Sequence, residues 1–113
     1  MPIRRDLSVT QGNHTTIDVA ITDSDTGGPY DLTGVTVEVY LKATAGQADN
    51  DAGTILLTSP SNIQINSAVN GTCTVTIIAA NLPTAGRRWW RLDCVASGQR
   101  RTVMFGPMYV TAV

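Results

Sequence analysis

Apolar side chains recur at every second position over four separate stretches of the chain, the period of strands that bury one face. Ile17, Val19 and Ile21 alternate with Thr16, Asp18, Ala20 and Thr22. Val35, Val37, Val39 and Leu41 alternate with Thr36, Glu38, Tyr40 and Lys42. Cys73, Val75, Ile77 and Ala79 alternate with Thr72, Thr74 and Thr76 until Ile78 breaks the pattern, and Trp90, Leu92, Cys94 and Ala96 alternate with Trp89, Arg91, Asp93 and Val95. A helix cannot use this spacing, because its buried stripe repeats every 3.6 residues. The residue bias agrees: Thr (16), Val (11) and Ile (8) supply 35 of the 113 residues, and these β-branched side chains suit a pleated surface. One Lys and one Glu, against seven Arg and eight Asp, leave few of the charged residues that favour helices.

Weaker strands are predicted over Leu7 to Val9, Ile55 to Thr58, Ile63 to Ile65, Thr102 to Phe105 and Met108 to Thr111, the last two separated by Gly106-Pro107. Turn chemistry sits between the strands: the link from Asp23 to Pro29, Asn70-Gly71, and Ser97-Gly98 as a tight hairpin. Ala43 to Gly53 reads as a long loop, and Asn81 to Gly86 as one short helical turn that tucks Leu82 into the core. About eight short strands with turns at these intervals predict an all-β, antiparallel β-sandwich, one domain over residues 1–113 with residues 1–6 as an N-terminal arm. If Ala96 and Gln99 flank a two-residue turn, Leu92 opposes Val103 and Trp90 opposes Phe105. Setting Val75 opposite Leu92 then places Ile77 beside Trp90 and Cys73 beside Cys94, with Trp90, Phe105 and Ile77 in one core layer.

Several function classes are disfavoured. The longest apolar run is four residues, Ile77 to Ala80, too short to cross a membrane, and no apolar stretch follows Met1 to Asp6 as in a signal peptide. A pI of 5.6 and a net charge of −1 do not fit a dedicated nucleic-acid binder. The one histidine, His14, has no nucleophile-elbow sequence to complete a catalytic triad, so no catalytic residue is assigned and the chain reads as a non-enzyme. Counted as a calcium loop from Asp23, position twelve is Gly34 where a carboxylate is needed, so the aspartates read as turn residues. With two thiols, no CxxC and no second histidine, no zinc site or other cofactor is expected; Cys73 and Cys94 read as buried thiols, with a cross-strand disulfide as the alternative.

Arg87-Arg88-Trp89-Trp90-Arg91 is the most conspicuous segment. In a strand Trp89 and Trp90 face opposite sides, so Trp90 belongs to the core and Trp89 to the surface. Arg87, Arg88, Trp89, Arg91 and Arg100, the last brought to Arg91's side by the hairpin, form the candidate protein interface, since Trp and Arg are enriched at binding hot spots. A solvated strand face, and contact with nucleic acid or glycan, are the competing readings.

The order Gly28-Pro29-Tyr30-Asp31-Leu32-Thr33-Gly34, an alternating strand, a Gly71-opened strand, the Ala85-Gly86 turn, the Trp/Arg strand, the Ser97-Gly98 hairpin and a closing strand through Gly106 resembles a known group. It is similar to the small immunoglobulin-like β-sandwich modules of tailed-bacteriophage virions, which include the N-terminal domain of the upper baseplate protein and related head and neck proteins. In that group the Asp-Leu-Thr-Gly tetrapeptide, here Asp31, Leu32, Thr33 and Gly34, opens a central strand. Those residue types also make an ordinary turn, in which Asp and Thr cap, Leu packs and Gly takes positive φ. The resemblance implies a structural virion protein, made in the host bacterial cytoplasm, that docks onto other virion subunits as a symmetric homo-oligomer in capsid, neck, tail or baseplate. Baseplate relatives continue into a coiled, receptor-carrying region, whereas this chain stops at Val113, which points to a stand-alone assembly subunit. A carbohydrate-binding β-sandwich, with Trp89 or Tyr40 as stacking platform, is the alternative.

Overall fold

The computed structural model describes residues 3–10, 14–23, 26–42, 54–59, 61–77 and 86–111. Every regular element among them is a strand: β1 (Ile3–Arg4), β2 (Leu7–Thr10), β3 (Thr15–Ala20), β4 (Thr36–Lys42), β5 (Ile55–Thr58), β6 (Ile63–Ser67), β7 (Thr72–Ile77), β8 (Gly86–Ala96) and β9 (Gln99–Thr111). They form two sheets, one ordered β1-β9-β8-β4-β5 with β2 also on β9, the other β3-β7-β6. This is a β-sandwich, its core filled by the alternating residues of the sequence pattern: Val37, Val39 and Leu41 from β4, Trp90, Leu92 and Cys94 from β8, Cys73, Val75 and Ile77 from β7. The expected loop from Ala43 to Gly53, the helical turn at Asn81 to Gly86 with Leu82, and the end of the Cys73 to Ala79 strand fall largely or wholly outside the described residues.

Three expectations about pairing are corrected. First, β7 does not lie beside β8. It pairs with β3 and β6, as Thr16 opposite Thr76 and Ile63 opposite Val75. The strand that pairs with β8 is β4, setting Val39 opposite Leu92 and Leu41 opposite Trp90. Cys73 and Cys94 therefore belong to different sheets, and both are free and buried. Trp90, Ile77 and Val75 do meet, but through the core, around a residual void of about 10 Å³.

Second, Phe105 is not in the core. The hairpin turns at Ser97-Gly98 as expected, with φ of 52° and 77°, the double positive φ of a type I′ turn. Pairing from Ala96–Gln99 to Asp93–Thr102 also follows the sequence reading, but the register then shifts, and Leu92 faces Met104. Val103 is the extra residue of a β-bulge, which reverses the facing of every later residue on β9. Met104, Met108 and Val110 turn inward, and Phe105 is left 39% exposed on the outer face.

Third, the sandwich is not wholly antiparallel, and Gly106-Pro107 does not interrupt its last strand. β9 runs unbroken through Pro107, and both N-terminal strands lie parallel to it, β1 along Met104–Phe105 and β2 along Met108–Thr111. The stretch read as an arm thus lies from Ile3 onward against the chain's own sheet. Its change of strand at Arg5 coincides with Gly106-Pro107, where a proline without a backbone donor does least harm. The Arg5 amide donates to the Phe105 carbonyl at 2.9 Å, and the Trp90 indole Nε1 donates to the Arg5 carbonyl at 2.8 Å. A Cβ at Gly106 would stand 2.3 Å from that carbonyl oxygen, so glycine is what lets the N-terminal segment pass this close.

Burial sets the chemistry of both cysteines. It pushes the Cys73 thiol up to about 11 and the Cys94 thiol up to about 12, helped at Cys94 by Cys73 and Asp93 nearby. Because folding favours the neutral thiol, this contribution to stability is complete below the unfolded thiol value of about 8.5 and is lost as pH rises from there through the folded values. At pH 8, a thiol reagent such as Ellman's is expected to leave both cysteines unmodified in the native protein and to label both once denaturant is added. Native labelling at the rate of a free thiol would show that the sheets do not close over them.

Candidate functional site

The outer face of the large sheet collects the side chains singled out by sequence, and it sorts them into two groups. On β4 the outward residues are Glu38, Tyr40 and Lys42, and their partners on β8 are Asp93, Arg91 and Trp89. On β9 the outward row is Thr102, then Phe105, Pro107 and Tyr109 beyond the bulge.

One group is a neutral polar network at the Glu38–Asp93 level. Asp93 is fully buried, 0% exposed, yet every printed contact to it is a hydrogen bond to its carboxylate. Arg91 grips it in bidentate fashion, Nε to Oδ1 at 3.0 Å and Nη2 to Oδ2 at 2.9 Å. Arg100 Nη1 donates to Oδ2 at 3.0 Å and Thr102 Oγ1 to Oδ1 at 2.8 Å. Arg100 also donates to Glu38 Oε1, which accepts the Tyr40 hydroxyl at 3.1 Å. The Arg91 guanidinium lies 4.5 Å over the Tyr40 ring and that of Arg100 5.5 Å. Two carboxylates balance two guanidiniums, and the carboxylates raise the Arg100 pKa, Glu38 first and Asp93 second. Arg91 and Arg100, expected to seek carboxylates on a partner, thus find them on their own chain. Tyr40 lies buried beneath them, which removes it as a sugar platform.

The second group is open and aromatic. Trp89 is half-buried rather than fully exposed, opposite Pro107, with the Arg87 guanidinium 4.5 Å over its ring. Beside it lies a cleft of about 120 Å³ lined by Lys42, Trp89, Trp90, Arg91, Phe105 and Gly106. Phe105, Tyr109 and Leu56 are exposed on this same face. Arg88 is separated from the rest: β8 alternation sets it with Trp90 and Leu92 on the inner side, at the strand's end. Glu38, Asp93 and Thr102 were not singled out from sequence, although the first two share the outward phase of Tyr40 and Arg91. Phe105, Tyr109 and Leu56 were also missed, the first because a bulge has no clear mark in the residue pattern.

The Asp31-Leu32-Thr33-Gly34 segment lies at the other end of β4 and forms a turn. Asp31 Oδ1 accepts the Thr33 amide at 2.9 Å, which holds the carboxyl below its ordinary range. Leu32 is buried, its amide donating to the Ala68 carbonyl at 2.7 Å, and Gly34 takes φ of 73° before the chain enters β4.

No protein-family model matches the chain, and no curated protein matches it in sequence. Among solved structures it is similar to the N-terminal domain of phage TP901-1 ORF48, with a TM-score of 0.66 at 15% identity. The match spans 98% of this chain and 90% of that domain. At that identity the likeness is one of fold, and the sandwich described above is therefore an architecture shared with a phage protein domain.

Proposed function

We propose that the chain is a non-enzymatic structural subunit of a tailed-phage particle that contacts other virion proteins through the outer face of its large sheet. The observation that carries this reading is the near end-to-end fold match with a phage domain. The open aromatic group supports it: Trp89, Phe105, Tyr109 and Leu56 expose apolar surface on one face, with Arg87 at its edge. The neutral network beneath Tyr40 stiffens that face rather than binding a partner. Interface residues are therefore assigned to Arg87, Trp89, Phe105 and Tyr109, with Arg91 and Arg100 as their support.

The test is a mass-spectrometric inventory of purified particles, with copy number, for the wild-type chain and for Trp89→Ala combined with Phe105→Glu. Stoichiometric incorporation of the wild type and its loss in the folded double variant are expected. Particles that lack the wild-type chain, or saturable glycan binding by the isolated monomer through Trp89, would overturn the reading.

A further inference from the structure

The cleft beside Trp89 lacks a carboxylate. Its six lining residues are aromatic, cationic or glycine, and Arg87 stands at its rim on the Trp89 ring. Across the outer face as a whole, the cations Arg4, Lys42, Arg87, Arg91 and Arg100 outnumber the carboxylates Asp6, Glu38 and Asp93, in a chain whose net charge is −1. The cleft therefore suits an apolar side chain next to an acid.

The opposite end of the same molecule presents that pair. Val69 is 69% exposed, the most exposed large apolar residue described. Ala68, immediately before it, accepts the Leu32 amide, so Val69 stands beside Asp31, whose carboxylate is exposed on the neighbouring turn. Asp23 lies at this end as well, and Arg101, over the Tyr30 ring at 5.9 Å, is the cation there. Tip and cleft adjoin opposite ends of β4, Gly34 preceding Thr36 and Lys42 closing the strand. Six residue steps at about 3.3 Å put them roughly 20 Å apart, so one molecule cannot join its own tip to its own cleft.

We infer that a second copy of this chain seats its Val69–Asp31 tip in the Trp89–Phe105 cleft, a head-to-tail contact that repeats from copy to copy. Such a contact is heterologous: each subunit uses one surface to give and another to receive, and the series closes as a ring or grows as a stack. This deepens the structural reading above and rests on it for its setting in the particle, but its test needs no particle. A monomeric result would overturn the contact while leaving the virion inventory to decide the wider reading.

The experiment is analytical ultracentrifugation of the full chain from micromolar to the highest soluble concentration. The wild type is expected to associate beyond the dimer. A tip variant combines Val69→Lys with Asp31→Asn, which keeps the oxygen that accepts the Thr33 amide. A cleft variant combines Phe105→Glu with Arg87→Glu, both surface positions. Each alone is expected to weaken association by about 30-fold or more, the loss of a hot-spot residue, with unchanged circular dichroism. Mixed in equal amounts, the two variants retain one intact tip and one intact cleft between them and are expected to form a 1:1 dimer that cannot grow. A wild type that stays monomeric, a variant that still associates like the wild type, or a mixture that stays monomeric while the wild type associates would each overturn the inference.

Discussion

Trp90→Ala is expected to cost about 3–5 kcal/mol of folding stability, the range for deleting a large core aromatic. Trp90 is 4% exposed, borders the core void with Leu41 and Ile77, and uses its indole Nε1 to hold the Arg5 carbonyl where the N-terminal segment passes from β1 to β2. The loss has two parts that a second variant separates. Trp90→Phe keeps most of the apolar contact but leaves the Arg5 carbonyl without this donor, costing about 1–3 kcal/mol. In hydrogen exchange the Arg5 amide, bonded to Phe105, should lose protection in Trp90→Phe before the β4 and β8 amides do. Trp89→Ala, on the half-buried side, should cost clearly less than Trp90→Ala. Equal costs at the two positions in denaturant titrations would contradict the facing of β8.

That comparison also marks where the sequence could be read and where it could not. Alternation is a local property, and it correctly set Val37, Val39, Leu41, Trp90, Leu92 and Val75 inside and Tyr40, Arg91 and Asp93 on the outer face. Partner choice is not local. The outward threonines Thr72, Thr74 and Thr76 look the same beside β8 as beside β3, so nothing in β7 itself decided between the two sheets. The bulge at Val103 was invisible for a related reason: Val103-Met104-Phe105 is apolar throughout, and a run without alternation carries no phase for an extra residue to break. Turn chemistry was legible because it is local again, as Ser97-Gly98 and the Asp31 turn demonstrate. The polar network depended on all of these at once. Glu38, Asp93 and Arg100 meet only if β4 pairs with β8 and the hairpin holds its register as far as Thr102.

Removing Arg91 is expected to be the costliest change on the outer face, because it acts on a carboxylate that has no access to water. Arg91→Met leaves Asp93 with Arg100 and Thr102 but without its bidentate partner, and stripping a partner from a buried ion pair costs about 3–5 kcal/mol. The retained contacts favour the lower end, still a fall in melting temperature of roughly 10 °C for a domain of this size. Arg91→Glu should be worse, since it sets a second carboxylate beside the buried one. Asp93→Leu removes the buried charge itself and leaves Arg91 and Arg100 with side chains 26% and 42% exposed, so each can turn toward solvent. The double variant Arg91→Met with Asp93→Leu should therefore be more stable than Arg91→Met alone, with a coupling of about 1–3 kcal/mol in a double-mutant cycle. Simple additivity would mean that Asp93 does not depend on Arg91, and the outer-face arginines would again be candidates for direct contact with a partner. Coupling of the expected size instead assigns Arg91 to the floor beneath Tyr40, and any loss of particle incorporation in an Arg91 variant then reports a damaged fold unless its melting curve is unchanged.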